Sequence, residues 1–215
     1  MPLSSLHFIF VFLPVFLLLD YVLPKSGWRN ALLVVGSLVF FGWADPGNLP
    51  VILFSLLFNY VFGRVISRQL EAKGRPTARP FMWIAVVVNL LMLVFYKYTG
   101  FLLENLADLI NQPIEYTSKA LPLGISFFTF TQIAFLADAY QKGVREYKFS
   151  HYGLFVTYFP HLIAGPVLHH AQMMPQFGDA RTYRWSAANF AGGLAIFALG
   201  LFKKVVLADG ISPYA

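Results

Sequence analysis

The stretch YFPHLIAGPVLHH at 158–170 sets one imidazole, His161, among apolar residues and interrupts them with Pro160, Gly165 and Pro166. A histidine in such a place has two chemical uses. It can act as a general base near neutral pH. It can equally hydrogen-bond the carbonyl groups that a proline frees when it breaks a helix. Three further places carry polar side chains inside or beside apolar runs. Gln132 lies mid-run in LGISFFTFTQIAFLADAYQKG, where Ser126, Thr129 and Thr131 add hydroxyls. That helix should face protein or a water-filled cavity rather than lipid. Asp138, near the end of the same run, either pairs with Lys142 and Arg145 or shapes a polar funnel. Lys203 and Lys204 in GLFKKVVLAD are either end anchors or a cationic group for an anionic carrier phosphate. Successive residues diverge by about 100° on an α-helix, so at most one of the two lysines easily faces a cavity.

Much chemistry is excluded. The chain has no cysteine, which removes disulfides, thiolate zinc sites, Fe–S clusters and cysteine nucleophiles. Its histidines are His7, His151, His161, His169 and His170, and none forms an HExxH-type pair. No metal site is expected. A P-loop, a GxSxG elbow and a GxGxxG turn are all missing. The net charge of +6 does not point to nucleic acid, because the cations sit in the short gaps between apolar runs and no nucleic-acid motif accompanies them. Asn59 and Asn89 are mid-run amides suited to interhelical hydrogen bonds, and Asp20 is placed to reach headgroups or water.

The elements that position these residues are membrane helices. Of the 215 residues 58% are hydrophobic, and the 12% that are charged are about half the share of a soluble domain. Apolar runs fall at 6–23, 30–43, 49–63, 81–96, 121–140, 152–168 and 187–207. A spanning helix needs about 20 residues, so several runs are short. The first has no cationic start and no small-residue cleavage site, and it reads as a retained transmembrane helix rather than a signal peptide. The second and third read as a hairpin around Asp45-Pro46-Gly47-Asn48. The sixth is broken or re-entrant. FLLENLADLI at 101–110 has apolar residues on one helical face and reads as an amphipathic helix on the membrane surface, or as one packed on the protein itself. The expected fold is therefore an all-α polytopic membrane protein with about seven apolar segments plus one interfacial helix, in a single integral membrane domain over 1–215.

Charge sets an orientation. Arg64, Arg68, Lys73, Arg75 and Arg79 face a lone Glu71 after the third run, which puts that connection in the cytoplasm. The next connection, with Glu104, Asp108 and Glu115, is outside. The one with Lys142, Arg145 and Lys148 is inside again, and the N-terminus is outside.

Three stretches in order, LPLGISFFTFTQIAFLADAYQKG (121–143), YFPHLIAGPVL (158–168) and GLFKKVVLAD (200–209), resemble the membrane-bound O-acyltransferase family. FIFVFLPVF, RNALLVVGSLVFFGW and FYKYTGF upstream extend the likeness along essentially the whole chain. The bacterial branch that acetylates alginate and other polysaccharides is the nearer likeness, and the branch that transfers D-alanine to cell-wall polymers the next. The resemblance implies an inner-membrane enzyme with a periplasmic N-terminus. It would carry an acetyl group from acetyl-CoA or another cytoplasmic thioester to a polysaccharide outside, with periplasmic acetyltransferase proteins as partners and no bound cofactor. It further implies that the family's catalytic histidine lies beyond Ala215, that the chain corresponds to the N-terminal half, and that this half alone is inactive. Gln132, Asp138, Pro160, His161, Gly165, Pro166, Lys203 and Lys204 would then line the acyl path or its funnel. His169 and His170 stand where the family has a basic residue. A transporter or channel is the competing expectation, on the strength of the broken sixth run.

Overall fold

The computed structural model describes residues 3–23, 26–110, 112, 116, 120–145, 148–162, 170–179, 182 and 184–212. Gly165, Pro166 and His169 lie outside the described residues. Among those described there is helix and no strand. The contacts divide the chain into two compact units, one of Met1–Leu32 with Gln176–Ala215 and one of Leu33–Pro175.

In the smaller unit a π-turn over Phe8–Phe12 runs into α1 (Leu13–Val22). The Ser5 hydroxyl accepts from Phe8 N–H at 3.2 Å and caps this start. The end is set by Leu23, which is extended at ψ 121 as the residue before a proline tends to be. The first apolar run thus forms a helix over Phe8–Val22, shorter than the length class that spans unaided. Asp20 lies 4.0 Å from Arg29, whose Nε donates to the Leu23 carbonyl at 2.8 Å. Asp20 therefore has a cationic neighbour rather than water alone. At the other end of the chain, Ser186 caps α10 (Ala187–Phe202) by accepting from Asn189 N–H. A π-turn at Lys203–Ala208 and α11 (Asp209–Ile211) continue it into a 25-residue apolar helix, Ala187–Ile211.

The larger unit holds the packed core. α2 (Ser26–Ala44) and α3 (Leu49–Lys73) form the expected hairpin. Its turn is made as the residue types suggest. Asn48 Nδ2 donates to both Asp45 carboxylate oxygens at 3.0 and 3.1 Å. The same carboxylate accepts from Leu123 N–H at 2.9 Å and ties the turn to the entry of α6 (Ile125–Lys142).

The cationic stretch after the third run is not a loop. α3 continues through Arg64 and Arg68 to Lys73, a single glycine intervenes, and α4 (Arg75–Leu93) begins at once. Polar residues there are good helix formers, which apolar counting misses. Gly74 makes the reversal at φ 78, ψ −176, a region open essentially to glycine alone. Gly74→Ala should therefore cost about 1–3 kcal/mol although a Cβ would find room, with Pro76 Cδ at 3.8 Å. A lowered unfolding midpoint in detergent would register it; an unchanged midpoint would contradict the strain.

The helix expected at 101–110 is present as α5 (Thr99–Ile110). It follows α4 through a π-turn at Val94–Tyr98, so that Arg75–Ile110 is one 36-residue apolar helix. At 1.5 Å per residue that is about 54 Å, well over the ~30 Å hydrocarbon thickness, so one end must project beyond it.

α3, α4 and α6 pack together around Ile66, Ala78, Ala85, Leu136 and Ala139. Small residues at 78, 85 and 139 let the backbones approach, as helix contacts in lipid require. α6 is closed by Gly143 at φ 66, whose N–H and that of Val144 cap the Asp138 carbonyl. α7 (Phe149–Thr157) packs on α3 and α6, and after it come α8 (Phe159–Leu162) and α9 (His170–Gly178).

Candidate functional site

Two polar places in the larger unit stand out, a hydrogen-bonded chain through its core and the break between α7 and α8. The chain begins at Tyr152 of α7, whose hydroxyl donates to Gln132 Oε1 of α6 at 3.0 Å. Gln132 Nε2 donates to Ser55 Oγ of α3 at 2.9 Å. One turn further along α3, Asn59 Nδ2 donates to the Ser55 carbonyl at 2.9 Å and to Asn89 Oδ1 of α4 at 3.1 Å. Asn89 Nδ2 returns the bond to Asn59 Oδ1 at 2.6 Å and donates to the Ala85 carbonyl at 2.8 Å. Tyr152, Gln132 and Asn59 are fully buried, with Ser55 at 1% and Asn89 at 2% exposure. Every link joins side chains placed within apolar runs, where the absence of water leaves each donor dependent on a protein partner. One turn before Gln132, the buried Thr129 hydroxyl has no hydrogen-bond partner among the described residues.

The break is built at Tyr158, whose ψ of 108 ends α7. Pro160 then sits second in α8, where its missing N–H costs nothing. The kink frees the Phe159 N–H, and Ser37 of α2 supplies its acceptor at 3.2 Å. Ser37 meanwhile donates to the Leu33 carbonyl at 2.6 Å, so its hydroxyl serves both roles. The Phe40 ring lies 5.5 Å from that of Phe159 and covers the contact. His161 N–H and Leu162 N–H both donate to the Tyr158 carbonyl at 3.1 Å. The His161 ring lies 5.8 Å from the Tyr158 ring. Neither of its nitrogens has a hydrogen-bond partner of ordinary geometry among the described residues, although the Phe155 backbone is close. The N–H freed at Phe159 is thus satisfied by a serine hydroxyl, a repair separate from the carbonyl bonding expected of the imidazole.

The sequence-nominated residues separate as follows. Gln132 belongs to the buried chain and is hydrogen-bonded on both sides of its amide. Asp138 lies apart from it, at the far end of α6, with Lys142 Nζ at 2.7 Å in an i,i+4 pair. That end is strapped down further by an ion pair between Arg145 and Glu71, by Arg75 donating to the Gln141 carbonyl at 3.2 Å, and by Ser67 donating to the Val144 carbonyl at 3.4 Å. Pro160 and His161 mark the break. Lys203 and Lys204 belong to the smaller unit, where Lys204 is ion-paired with Asp209. Ser37, Ser55 and Tyr152 were not singled out by the sequence, and Asp45 was singled out only as a turn residue. Serines and a tyrosine in apolar runs are common, and only the positions of their partners distinguish these. Among the described residues no group of three His, Asp or Glu side chains could hold a metal ion.

Relatives carry the comparison further. The chain is 37% identical, over 97% of its length, to the peptidoglycan O-acetyltransferase of Helicobacter pylori, 44% of which the match covers. It is 37% identical over its whole length to the probable alginate O-acetylase AlgI of Pseudomonas aeruginosa, covering 41% of that protein. The corresponding protein of Azotobacter vinelandii is 36% identical, with 43% covered. The chain thus spans less than half the length of the curated relatives it matches. No family model matches the chain, and no solved structure matches it.

Proposed function

Because the chain belongs along its whole length to the membrane-bound O-acyltransferase family, we propose that it serves a membrane enzyme that moves an acetyl group to a polysaccharide on the outer side. The observation that carries this reading is the likeness, over 97% of the chain or more, to proteins named peptidoglycan O-acetyltransferase and probable alginate O-acetylase. The donor we propose is acetyl-CoA or another thioester, arriving from the cytoplasm. The side to which the cations of α3 and α4 point is then cytoplasmic by the positive-inside bias, in a bacterial inner membrane with a periplasmic N-terminus. Periplasmic acetyltransferase proteins would be the partners that complete transfer.

Within this enzyme the larger unit has a positioning role. The hydrogen-bonded chain fixes the relative rotation of α3, α4, α6 and α7. The α7–α8 break lets non-helical backbone reach membrane depth, which is tolerated only where protein or a water cavity surrounds it. Pro160 and His161 would border the acyl path at that break, with Gly165 and Pro166 continuing it. We assign His161 to lining this path and not to proton transfer.

The test is acetyl transfer by membrane vesicles supplied with labelled thioester. Vesicles lacking the gene should transfer nothing to the polymer. His161→Ala should lower transfer by less than about 100-fold, below the contribution of a general base. A greater loss with folding and donor binding intact would overturn the assignment of His161. Solute flux through the protein without any thioester would overturn the enzyme reading itself.

A further inference from the structure

Where α3, α6 and α7 meet, the buried donors and acceptors do not balance. Thr129, Gln132 and Tyr152 are fully buried, and Ser55 is 1% exposed. Tyr152 gives its hydroxyl proton to Gln132 Oε1, and its own oxygen accepts no bond among the described residues. Gln132 Nε2 gives one proton to Ser55 Oγ, and its second proton has no acceptor among them. Thr129 Oγ1 has no partner at all among them. A helical threonine or serine ordinarily bonds a carbonyl one turn back, as Ser37 and Thr157 do here. Thr129 departs from that pattern in a place without exposed surface, where each polar group needs a partner.

The register brings these groups to one level. Thr129 and Gln132 stand three apart on α6, so their Cβ atoms lie about 5–6 Å apart on one face. A long helical side chain leans back over the preceding turn, which carries the Gln132 amide toward Thr129. The two side chains nevertheless form no bond with each other. Polar groups that share a face at such a separation are the ones a water bridges.

We propose that one buried water is held between Thr129 and Gln132. It accepts the second Gln132 Nε2 proton and donates to Thr129 Oγ1 and to the Tyr152 hydroxyl oxygen. Buried waters make about three hydrogen bonds, the number these side chains offer. The site is closed to anything larger, since none of the side chains around it is more than 1% exposed. The water completes the hydrogen-bonded chain on its α6 side and fixes the Gln132 amide from both edges.

Radiolytic labelling of the intact protein, in nanodiscs equilibrated with heavy-oxygen water, tests this. Hydroxyl radicals form from bound as well as bulk water and oxidise the side chains beside them. Tyr152 should take up heavy oxygen, whereas Phe41, equally buried, should not. Thr129→Val should remove most of the Tyr152 labelling, and Thr129→Ser, which keeps the hydroxyl, should retain it. Labelling of Tyr152 no greater than that of Phe41 in the unaltered protein would overturn the site. Undiminished labelling of Tyr152 in folded Thr129→Val protein would overturn it too, because the water would then not depend on Thr129.

Discussion

Gly63→Ala should destabilise the larger unit by about 1–3 kcal/mol, and Gly63→Leu by more. A Cβ at Gly63 would lie 2.5 Å from Phe135 Cε1, inside any real contact distance, and a tight 3.2 Å from Cζ. The ring has little freedom to withdraw. Phe135 is 2% exposed, and its centroid lies 4.8 Å from that of Tyr152 and 6.3 Å from that of Phe155. Pushing it displaces Tyr152, whose hydroxyl holds Gln132. The added methyl therefore disturbs packing and the hydrogen-bonded chain together. Gly42→Ala is the internal control, because its Cβ would meet Leu49 Cδ2 at an ordinary 3.6 Å. It should be neutral or stabilising by up to about 1 kcal/mol through helix propensity. Unfolding in mixed micelles compares the two, and Phe135→Leu should recover much of the Gly63→Ala loss. If Gly63→Ala matched the control, the close approach of α3 and α6 would be disproved.

The second large effect concerns the paired amides. Asn59→Leu leaves the Asn89 amide with the Ala85 carbonyl and no side-chain partner, in a place without water. A cost of about 1–2 kcal/mol is expected, as for other buried groups stripped of a partner in membrane helices. Asn89→Leu should cost a similar amount. The double variant should cost less than the sum, because replacing both partners by apolar groups leaves fewer donors stranded. A double-mutant cycle on unfolding free energy reads the difference. Strict additivity would show that the pair is not coupled.

How much of this was legible beforehand varies with the physics. Apolar periodicity gave the hairpin, the helix at 101–110 and the interruption of the sixth run, because each rests on local rules of turn chemistry, helical facing or proline. Asn59 and Asn89 were legible as interhelical bonding residues, since mid-run amides have few other options in lipid. Their pairing with each other was not, because it depends on the crossing of α3 and α4. Helix ends near Arg64–Lys73 were misread, since charged residues signal the end of a hydrophobic run but not of a helix. Ser37 was invisible for a different reason. A serine that completes another helix's backbone, 122 residues away, leaves no local pattern. The fate of Asp138 was open between an ion pair and a funnel, and its contact with Lys142 is the local alternative.

The Ser37–Phe159 bond also has an order in time. A ribosome adding about 5–20 residues per second makes the acceptor roughly 6–24 s before the donor, which follows 122 residues later. Were the order reversed, an amide with no helical partner would reach the bilayer ahead of its acceptor. As written, the more tolerant half arrives first, since the Ser37 hydroxyl is already satisfied by the Leu33 carbonyl of its own helix. The direction of translation thus spares the nascent chain its least soluble intermediate.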